Sequence, residues 1–204
     1  MSDRRRPHYE IALLVLVLVV LVWSGIRPAD RFTWIMEVFP VLIAGPVLIV
    51  TYRRFRFTPL VYTLIAIHAC ILMLGGKYTY AQVPLGFWME RMFGFARNHY
   101  DRIGHFAQGF VPAMIGREIL IRLSPLRGSR WLPFVVVAFC LGFSAFYEFI
   151  EWWTALATGG AADAFLGTQG DPWDTQWDMF LAFVGAISAL VVLSRVHDRQ
   201  LRQG

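Results

Sequence analysis

Seven ionisable residues lie near the ends of long apolar segments, where charged side chains are rare. They are Asp101, His105, Glu148, Glu151, Asp171, Asp174 and Asp178. Carboxylates combined with an imidazole form a hard, mixed oxygen and nitrogen donor set, which suits Mg²⁺, Mn²⁺, Ca²⁺ or Zn²⁺. Keeping charged groups next to hydrocarbon costs free energy, so several of them retained in one place predict a functional site.

The composition predicts that helices crossing a membrane position these residues. The chain has 204 residues, of which 57% are hydrophobic and 16% charged, and its mean hydropathy is +0.51. A hydrocarbon core about 30 Å thick needs about 20 apolar residues per helix, and such stretches recur along the chain. We therefore expect an all-α membrane protein with one polytopic domain and no separate soluble domain.

The net charge of +5 does not indicate nucleic-acid binding. The basic residues form short clusters between apolar runs, which is typical of topology signals. Cys70 and Cys140 each lie alone within an apolar run, so the sequence predicts neither a disulfide framework nor a cysteine metal motif.

Six spans are expected, at about residues 9–26, 32–52, 57–75, 103–123, 131–156 and 174–194. The segment 86–98 is predicted to form an amphipathic helix on the membrane surface. The N-terminal arginines and the apolar run that follows them resemble a signal peptide. No small-x-small cleavage site follows, so we interpret this run as an uncleaved first span.

Arginine and lysine counts predict the orientation of the six-helix bundle. One side carries 13 of these residues: Arg4, Arg5, Arg6, Arg53, Arg54, Arg56, Arg117, Arg122, Arg127, Arg130, Arg195, Arg199 and Arg202. The other side carries six: Arg27, Arg31, Lys77, Arg91, Arg97 and Arg102. The richer side should be cytoplasmic, which places both termini inside and the seven ionisable residues outside, with Glu37 on the same side.

Helical spacing predicts that these residues face one another. Steps of three or four connect Asp101, His105, Gln108, Pro112 and Gly116 in the fourth span, Ser144, Glu148, Glu151 and Ala155 in the fifth, and Asp171, Asp174, Asp178, Ala182, Gly185 and Ala189 in the sixth. Small residues allow membrane helices to approach closely, so the three faces should meet rather than contact lipid. We expect an outward-facing pocket.

Simpler roles compete with this interpretation. Asp171 and Asp174 suit the N-cap and third position of a helix, although capping does not reach Asp178, one turn deeper. Asp101 and His105 suit a capped helix start with a hydrogen-bonded histidine. His68 is expected to be an isolated, hydrogen-bonded packing residue rather than a ligand. Glu118 is expected to pair locally with Arg122 at i, i+4.

Glu148 and Glu151 lie one turn apart and repel each other, so they require a cation. Arg97 or Arg102 would be sufficient for that purpose. A divalent metal is the more compact alternative, and the predicted ligands are Asp101, His105, Glu148, Glu151, Asp174 and Asp178.

Four blocks of sequence resemble the YjdF-type family of bacterial inner-membrane proteins of unknown function. They are residues 76–80 (GKYTY), 100–106 (YDRIGHF), 147–152 (YEFIEW) and 165–179 (FLGTQGDPWDTQWDM). The resemblance covers essentially the whole chain and implies an inner-membrane location. The Asp-x-x-x-His-Phe and Tyr-Glu elements are also similar to VanZ-like membrane proteins, over the fourth to sixth spans, and some of those are associated with glycopeptide resistance. Neither resemblance implies a mechanism.

The residues therefore leave three functional hypotheses open. The first is a metal-dependent enzyme acting on a lipid or lipid-linked envelope substrate, with Glu148, Glu151 and Asp178 as candidate catalytic residues and Arg97 and Arg102 as candidates for holding an anionic headgroup. The second is a non-catalytic envelope protein whose polar cluster is structural. The third, a small transporter, fits less well because the acids lie near one surface and no inverted repeat is evident.

Overall fold

The structure is a computed structural model that describes residues 8–159, 163–166 and 169–203. These residues form eight helices and no strand. The helices are α1 (His8–Gly25), α2 (Arg31–Thr51), α3 (Pro59–Tyr78), α4 (Pro84–Phe93), α5 (Tyr100–Leu123), α6 (Trp131–Thr158), α7 (Asp163–Leu166) and α8 (Asp174–Gln203).

Five helices, α1, α2, α3, α6 and α8, are long and apolar enough to cross a membrane. Their large apolar side chains are widely exposed, as in α1, where Val15 is 52% and Val22 66% accessible. Exposure of this kind is expected for surfaces that contact hydrocarbon rather than water. The remaining long helix, α5, is more polar and is enclosed by other helices.

Three helix ends differ from the sequence prediction. Helix α3 does not stop at Gly75 but continues to Tyr78, and Thr79 ends it in the left-handed conformation (φ 56°). The glycine is needed for packing, because a Cβ on Gly75 would lie 2.2 Å from the ring of Tyr80. Helix α4 ends at Phe93 instead of residue 98, since Gly94 (φ 68°) forms a left-handed C-cap. Helix α8 continues beyond residue 194 to Gln203.

Helix α5 is the centre of the bundle. It packs most extensively against α8 and also contacts α3 and α6, whereas α1 and α2 pack against α3. Fully buried apolar side chains from four helices form the core between them, including Val61, Met114, Val136 and Ala186. A helix surrounded by protein need not be apolar, which explains why α5 can carry most of the polar residues.

The backbones of α5 and α8 approach each other very closely. A Cβ on Gly109 would lie 1.8 Å from the carbonyl oxygen of Ala182, and one on Gly185 would lie 2.1 Å from that of Phe106. The small residues predicted for α8 therefore do face a neighbouring helix. On α5 the contact uses Gly109 rather than the predicted Gly116, whose Cβ would meet no atom closer than 3.8 Å.

Candidate metal centre

Three helices bring the predicted ligands together around His105. Asp101 lies one turn earlier on α5, and its Oδ1 is 3.3 Å from the imidazole Nε2. Asp178 on α8 lies 3.7 Å from the same nitrogen. With α6, the donors form two sets whose atoms lie within 4.8 Å of one another: Asp101, His105 and Asp178, and His105, Glu148 and Glu151. Opposite ligands of an ion with bonds of about 2.0–2.6 Å are about 4–5 Å apart, so both sets have suitable spacing.

Three of these side chains are buried and retain an atom without a hydrogen-bond partner among the described residues. His105 and Glu148 are 7% exposed and Asp178 is 3% exposed. The atoms concerned are His105 Nδ1, Glu148 Oε1 and Asp178 Oδ1. Buried polar atoms are nearly always bonded, so a concentration of unsatisfied ones points to a further ligand.

A cavity of about 60 Å³ adjoins these donors and is bounded by α2, α3, α5, α6 and α7. Asp101, His105 and Glu151 line it, whereas Glu148 and Asp178 do not. At about 30 Å³ per water, the cavity has room for about two molecules. Of the three predicted catalytic carboxylates, Glu151 is therefore the one that a small molecule in the cavity would meet.

Helices α2 and α3 complete the cavity. Glu37, which the sequence placed on the same side, is 6% exposed and lines it, and the Tyr80 hydroxyl faces its carboxylate. Burial and the neighbouring Glu37 raise the pKa of Tyr80 well above its usual value of 10, so the phenol remains a proton donor. His68 was expected to be an isolated, hydrogen-bonded packing residue, but it lines the same cavity and its Nε2 has no hydrogen-bond partner in the described part of the chain. We call Glu37, Asp101, His105, Glu148, Glu151 and Asp178 the acidic cluster.

Two arginines form ion pairs at the rim above Asp178. Arg97 donates to Asp174 Oδ1 at 2.6 Å and to Asp171 Oδ2 at 3.2 Å. Arg102 donates to Asp171 Oδ2 at 2.9 Å, with its guanidinium 4.9 Å from the centre of the Trp177 ring. Asp174 belongs to neither donor set, and both predicted headgroup-binding arginines contact aspartates rather than Glu148 or Glu151.

Asp171 also makes a local hydrogen bond, although it is not the N-cap that the sequence suggested, because α8 begins three residues later. Its Oδ1 accepts a hydrogen bond from the Trp173 backbone N–H at 3.0 Å, just before α8 begins at Asp174. One oxygen therefore stabilises the helix start, and the other accepts from Arg97 and Arg102. The Asp171 carboxylate therefore both stabilises the turn before α8 and binds the two rim arginines.

A buried asparagine fixes the start of α5 and thus the position of Asp101. The Asn98 amide donates to the carbonyl of Val83 at 3.0 Å, and its Oδ1 accepts from the Tyr100 backbone N–H at 3.0 Å. A Cβ on Gly86 would lie 1.6 Å from that Oδ1, so glycine allows α4 to pack directly on Asn98. The Tyr100 hydroxyl donates to the carbonyl of Ile71 on α3 at 3.1 Å. These bonds tie α4 and α3 to the helix that carries His105.

His99 precedes α5 and lies outside the acidic cluster. Its ring packs against Phe95 with centroids 4.7 Å apart. Burial and the charges of Arg102 and Arg97 lower the pKa of His99 below its usual value of 6.5, so the ring is neutral at physiological pH. This histidine provides an internal control for experiments on His105.

A second polar network surrounds Glu118, which lies 13 residues after His105 on α5 and therefore about 20 Å from it along the helix. The sequence predicted only a small part of this network. The predicted pair of Glu118 and Arg122 is present at 2.9 Å. Glu118 is also 3.0 Å from His197 Nε2 and accepts from the backbone N–H and the hydroxyl of Thr58. Glu118 and His197 are both fully buried. We call this the Glu118 network.

Arg117 and Asp198 extend the Glu118 network, and the contact with Arg117 determines the tautomer of His197. Arg117 donates to His197 Nδ1 at 2.9 Å and to Asp198 at 2.6 Å. An Nδ1 that accepts from a guanidinium carries no proton, so the ring is neutral and its Nε2–H donates to Glu118. Only the i, i+4 spacing of Glu118 and Arg122 was visible in the sequence. The partners from α3 and α8 are distant in the chain, so no local pattern could have revealed them.

Comparison with known proteins agrees with this architecture. Residues 9–199 match the family described as "Predicted membrane protein (DUF2238)". The chain is also 54% identical over 185 residues, which cover 91% of this chain and 88% of the relative, to a protein of Escherichia coli (strain K12) named "Inner membrane protein YjdF". No solved structure matches. The similarity to VanZ-like proteins is not found in these matches and stays a prediction. The chain belongs to the DUF2238 family of membrane proteins, which the YjdF-type resemblance had indicated.

Proposed function

We propose that this protein spans the bacterial inner membrane six times with both termini in the cytoplasm, and that its acidic cluster binds a divalent metal ion at the outer side. In this proposal the site acts on a lipid or lipid-linked substrate of the cell envelope. The name of the Escherichia coli relative supports the inner-membrane location.

Helix α5 is the proposed sixth span. Its 24 residues extend about 36 Å, which is enough to cross a hydrocarbon core of about 30 Å. Its polar residues are shielded by α3, α6 and α8, so they need not meet lipid. Arginine-rich segments occur between α2 and α3, between α5 and α6, and at the end of α8, which supports a cytoplasmic location for that end of the bundle.

The observation that carries the metal proposal is the set of unpartnered, buried donor atoms on His105, Glu148 and Asp178. The Glu118 network provides a comparison within the same protein. It is equally buried, but its carboxylate accepts from Thr58, Arg122 and His197. If the acidic cluster were purely structural, its buried polar atoms should all be hydrogen-bonded, as those of the Glu118 carboxylate are. The contrast therefore favours a bound ligand over the structural alternative.

The chemistry follows from the positions of the side chains. Asp101, His105 and Asp178 form one donor set, and Glu148 extends the donors to α6. A divalent ion held there would polarise a phosphoryl or acyl oxygen and lower the pKa of a bound water. Glu151 lines the cavity and is placed to take the proton of a water molecule there.

The rim arginines suit a headgroup site in this proposal. Arg97 and Arg102 are both held by aspartates on the segment that leads into α8. An anionic headgroup could exchange with Asp171, the more exposed of the two aspartates (21% against 7%). A planar guanidinium pairs well with phosphate or carboxylate oxygens.

Metal analysis of the purified protein tests the site. We expect the wild type to retain about one equivalent of a divalent ion, and His105→Ala and Asp178→Ala to lose it because each removes one ligand of the same set. His99→Ala is the matched control, since it removes a histidine six residues away that lies outside the cluster.

Two outcomes would contradict the metal proposal. One is a wild-type protein that binds no ion after dialysis against Mg²⁺, Mn²⁺, Ca²⁺ and Zn²⁺ in turn. The other is equal metal content in His105→Ala, Asp178→Ala and His99→Ala, which would place the ion elsewhere. Size-exclusion profiles of all variants establish that each remains folded.

Cysteine labelling tests the orientation. In a background without Cys70 and Cys140, Ala29→Cys lies between α1 and α2, and Ser129→Cys lies between α5 and α6. A membrane-impermeant maleimide should label Ala29→Cys in intact spheroplasts, and Ser129→Cys only after lysis. The reverse pattern would show that the acidic cluster faces the cytoplasm.

A further inference from the structure

The cavity beside the acidic cluster has two different walls. Glu37, Asp101, His105 and Glu151 form the polar wall. The apolar wall consists of Pro40, Leu72, Phe143, Phe165 and Leu166. A cavity for a wholly water-soluble ligand would not need these apolar residues, whereas an amphipathic ligand would contact both kinds.

In the apolar wall Pro40 belongs to α2 and Phe143 to α6, and these two helices are joined only loosely. Helix α2 packs mainly on α3, and α6 packs mainly on α5 and α8. Among the described residues, α7 is the element that packs against both α2 and α6. It is a single turn of four residues, with Phe165 edge-on to Phe32 of α2. We call the space between α2 and α6 beneath α7 the α2–α6 cleft.

Exposed side chains show where this cleft opens. Phe143 lines the cavity and yet is 44% exposed, so it lies at the boundary between the cavity and the outer surface of the bundle. On the facing helix, Phe39 is 54% exposed and is adjacent to Pro40, which lines the cavity. Phe143 is near the middle of the 28-residue α6, at a depth where a membrane-spanning helix is surrounded by hydrocarbon. The opening therefore faces acyl chains.

The size of the cavity decides how much of a lipid can enter. About 60 Å³ accommodates a small polar group but not an acyl chain. The chain must therefore remain in the bilayer, along the exposed aromatic edges of α2 and α6, while the polar group reaches His105. Phosphate oxygens are suitable ligands for a hard divalent ion, and the ion would offset the carboxylates that otherwise repel an anion.

We propose that the α2–α6 cleft is a lateral entrance through which a phosphate-bearing lipid of the surrounding leaflet reaches the acidic cluster. This proposal rests on the metal site for the choice of a phosphate headgroup, but the entrance itself rests on the geometry of the cleft. The substrate class is then a membrane phospholipid rather than a soluble phosphate ester.

Photo-crosslinking of the full-length protein tests the entrance. The protein is reconstituted in phosphatidylcholine vesicles that contain phosphatidylglycerol with a diazirine on its headgroup, and crosslinked residues are mapped by mass spectrometry. We expect labelling of the cavity wall, at Leu72 and Phe143, in addition to the outward-facing background. Leu72→Trp should remove most of the labelling at Phe143 because the larger side chain fills the cavity.

The matched control is Ile67→Trp, which makes an indole of the same size on α3 at a position that is 50% exposed. It should leave the labelling of Phe143 unchanged. Leu166→Trp on α7 is a second cavity-filling variant, to be used if Leu72→Trp does not elute as a folded protein. The proposed entrance would be overturned if only residues on the outer surface of the bundle were labelled, or if Phe143 were labelled equally in all variants.

Metal content measured on the same samples separates this proposal from the previous one. If the wild type binds metal but Phe143 is not labelled, the entrance is wrong and the metal site stands. If Phe143 is labelled in a cavity-dependent way but no metal is bound, the metal site is wrong and the entrance stands. Inorganic phosphate at millimolar concentration that abolishes the labelling would instead favour a soluble phosphate ligand and overturn the lipid assignment.

Discussion

Gly109→Ala should loosen the interface that holds the proposed site together. The added Cβ would lie 1.8 Å from the carbonyl oxygen of Ala182, whereas an ordinary contact is 3.4 Å or more, so α5 and α8 must separate locally by about 1.6 Å. The obstacle is backbone, which cannot rotate away. Overpacking of a core typically costs 1–3 kcal/mol of stability, and we take about 3 kcal/mol here because the clash is with backbone. Alanine is more favourable than glycine within a helix by about 1 kcal/mol, so the net loss of stability is about 2 kcal/mol.

The assay is thermal unfolding in detergent, followed by circular dichroism at the helical band. A loss of about 2 kcal/mol corresponds to a decrease in Tm of about 4–8 °C for a chain of this size. Gly142→Ala on α6 is the matched control, because nothing lies within 4 Å of its Cβ. It should gain up to about 1 kcal/mol from helix propensity alone.

The same substitution should weaken metal binding even where the protein remains folded. Gly109 lies one turn after His105, and Ala182 lies one turn after Asp178. Separating α5 and α8 therefore widens the 3.7 Å gap between His105 Nε2 and Asp178 Oδ1. A Tm for Gly109→Ala equal to or above that of Gly142→Ala would refute the close approach of the two helices. If Gly109→Ala lowers the Tm as expected but binds metal as tightly as the wild type, the link between this helix contact and the metal site is refuted.

Two further predictions concern stability at other positions. Glu118→Ala should cost about 1–3 kcal/mol, because it leaves the N–H of the buried, neutral His197 without its acceptor; a loss below about 0.5 kcal/mol in thermal unfolding would contradict the central role of Glu118. Asp30→Ala should cost about 1 kcal/mol or less at neutral pH, because Asp30 caps α2 by accepting from the Thr33 N–H at 2.7 Å. That hydrogen bond lowers the pKa of Asp30 below its usual value of 3.8. The stability that the cap contributes is therefore present above pH 3.8 and is lost as the pH falls through the lower pKa of the folded state. If the difference in stability between Asp30→Ala and the wild type does not shrink in acid, the cap is not the cause.

Local sequence predicted much of the site because a helix converts spacing into direction. Asp101 and His105 are four residues apart, and Glu148 and Glu151 three, so each pair had to share a face of its own helix. The convergence of α5, α6 and α8 followed from the small residues on α8 and from the shared side of the acids. The structure places donor atoms of Asp101, His105 and Asp178 within 4.8 Å of one another, and likewise those of His105, Glu148 and Glu151, while the binding of a metal there stays a prediction.

Other features of the site could not be obtained from local patterns. Asp174 suited the ligand set by spacing, but Arg97, 77 residues away in the chain, binds its carboxylate. The sequence could not predict the surroundings of His68, because the residues around it in space belong to α2, α5 and α6. The partners of Glu118 outside its own helix, which are the N-cap residue of α3 and His197 on α8, could not be predicted for the same reason. Each of these contacts depends on which helices are neighbours, and hydropathy contains no information on that.

The sequence by itself determined that this is an all-α membrane protein, where most of its helices lie, and which side chains each helix presents together. It did so because solubility in hydrocarbon and the period of the α-helix are both local properties. Only the tertiary structure decided that α5 is enclosed at the centre, that Gly109 meets Ala182, and that residues of α2 and α6 line a cavity beside the acidic cluster. Those features depend on which helices pack side by side and how closely, and the contacts that set this join residues far apart in the chain.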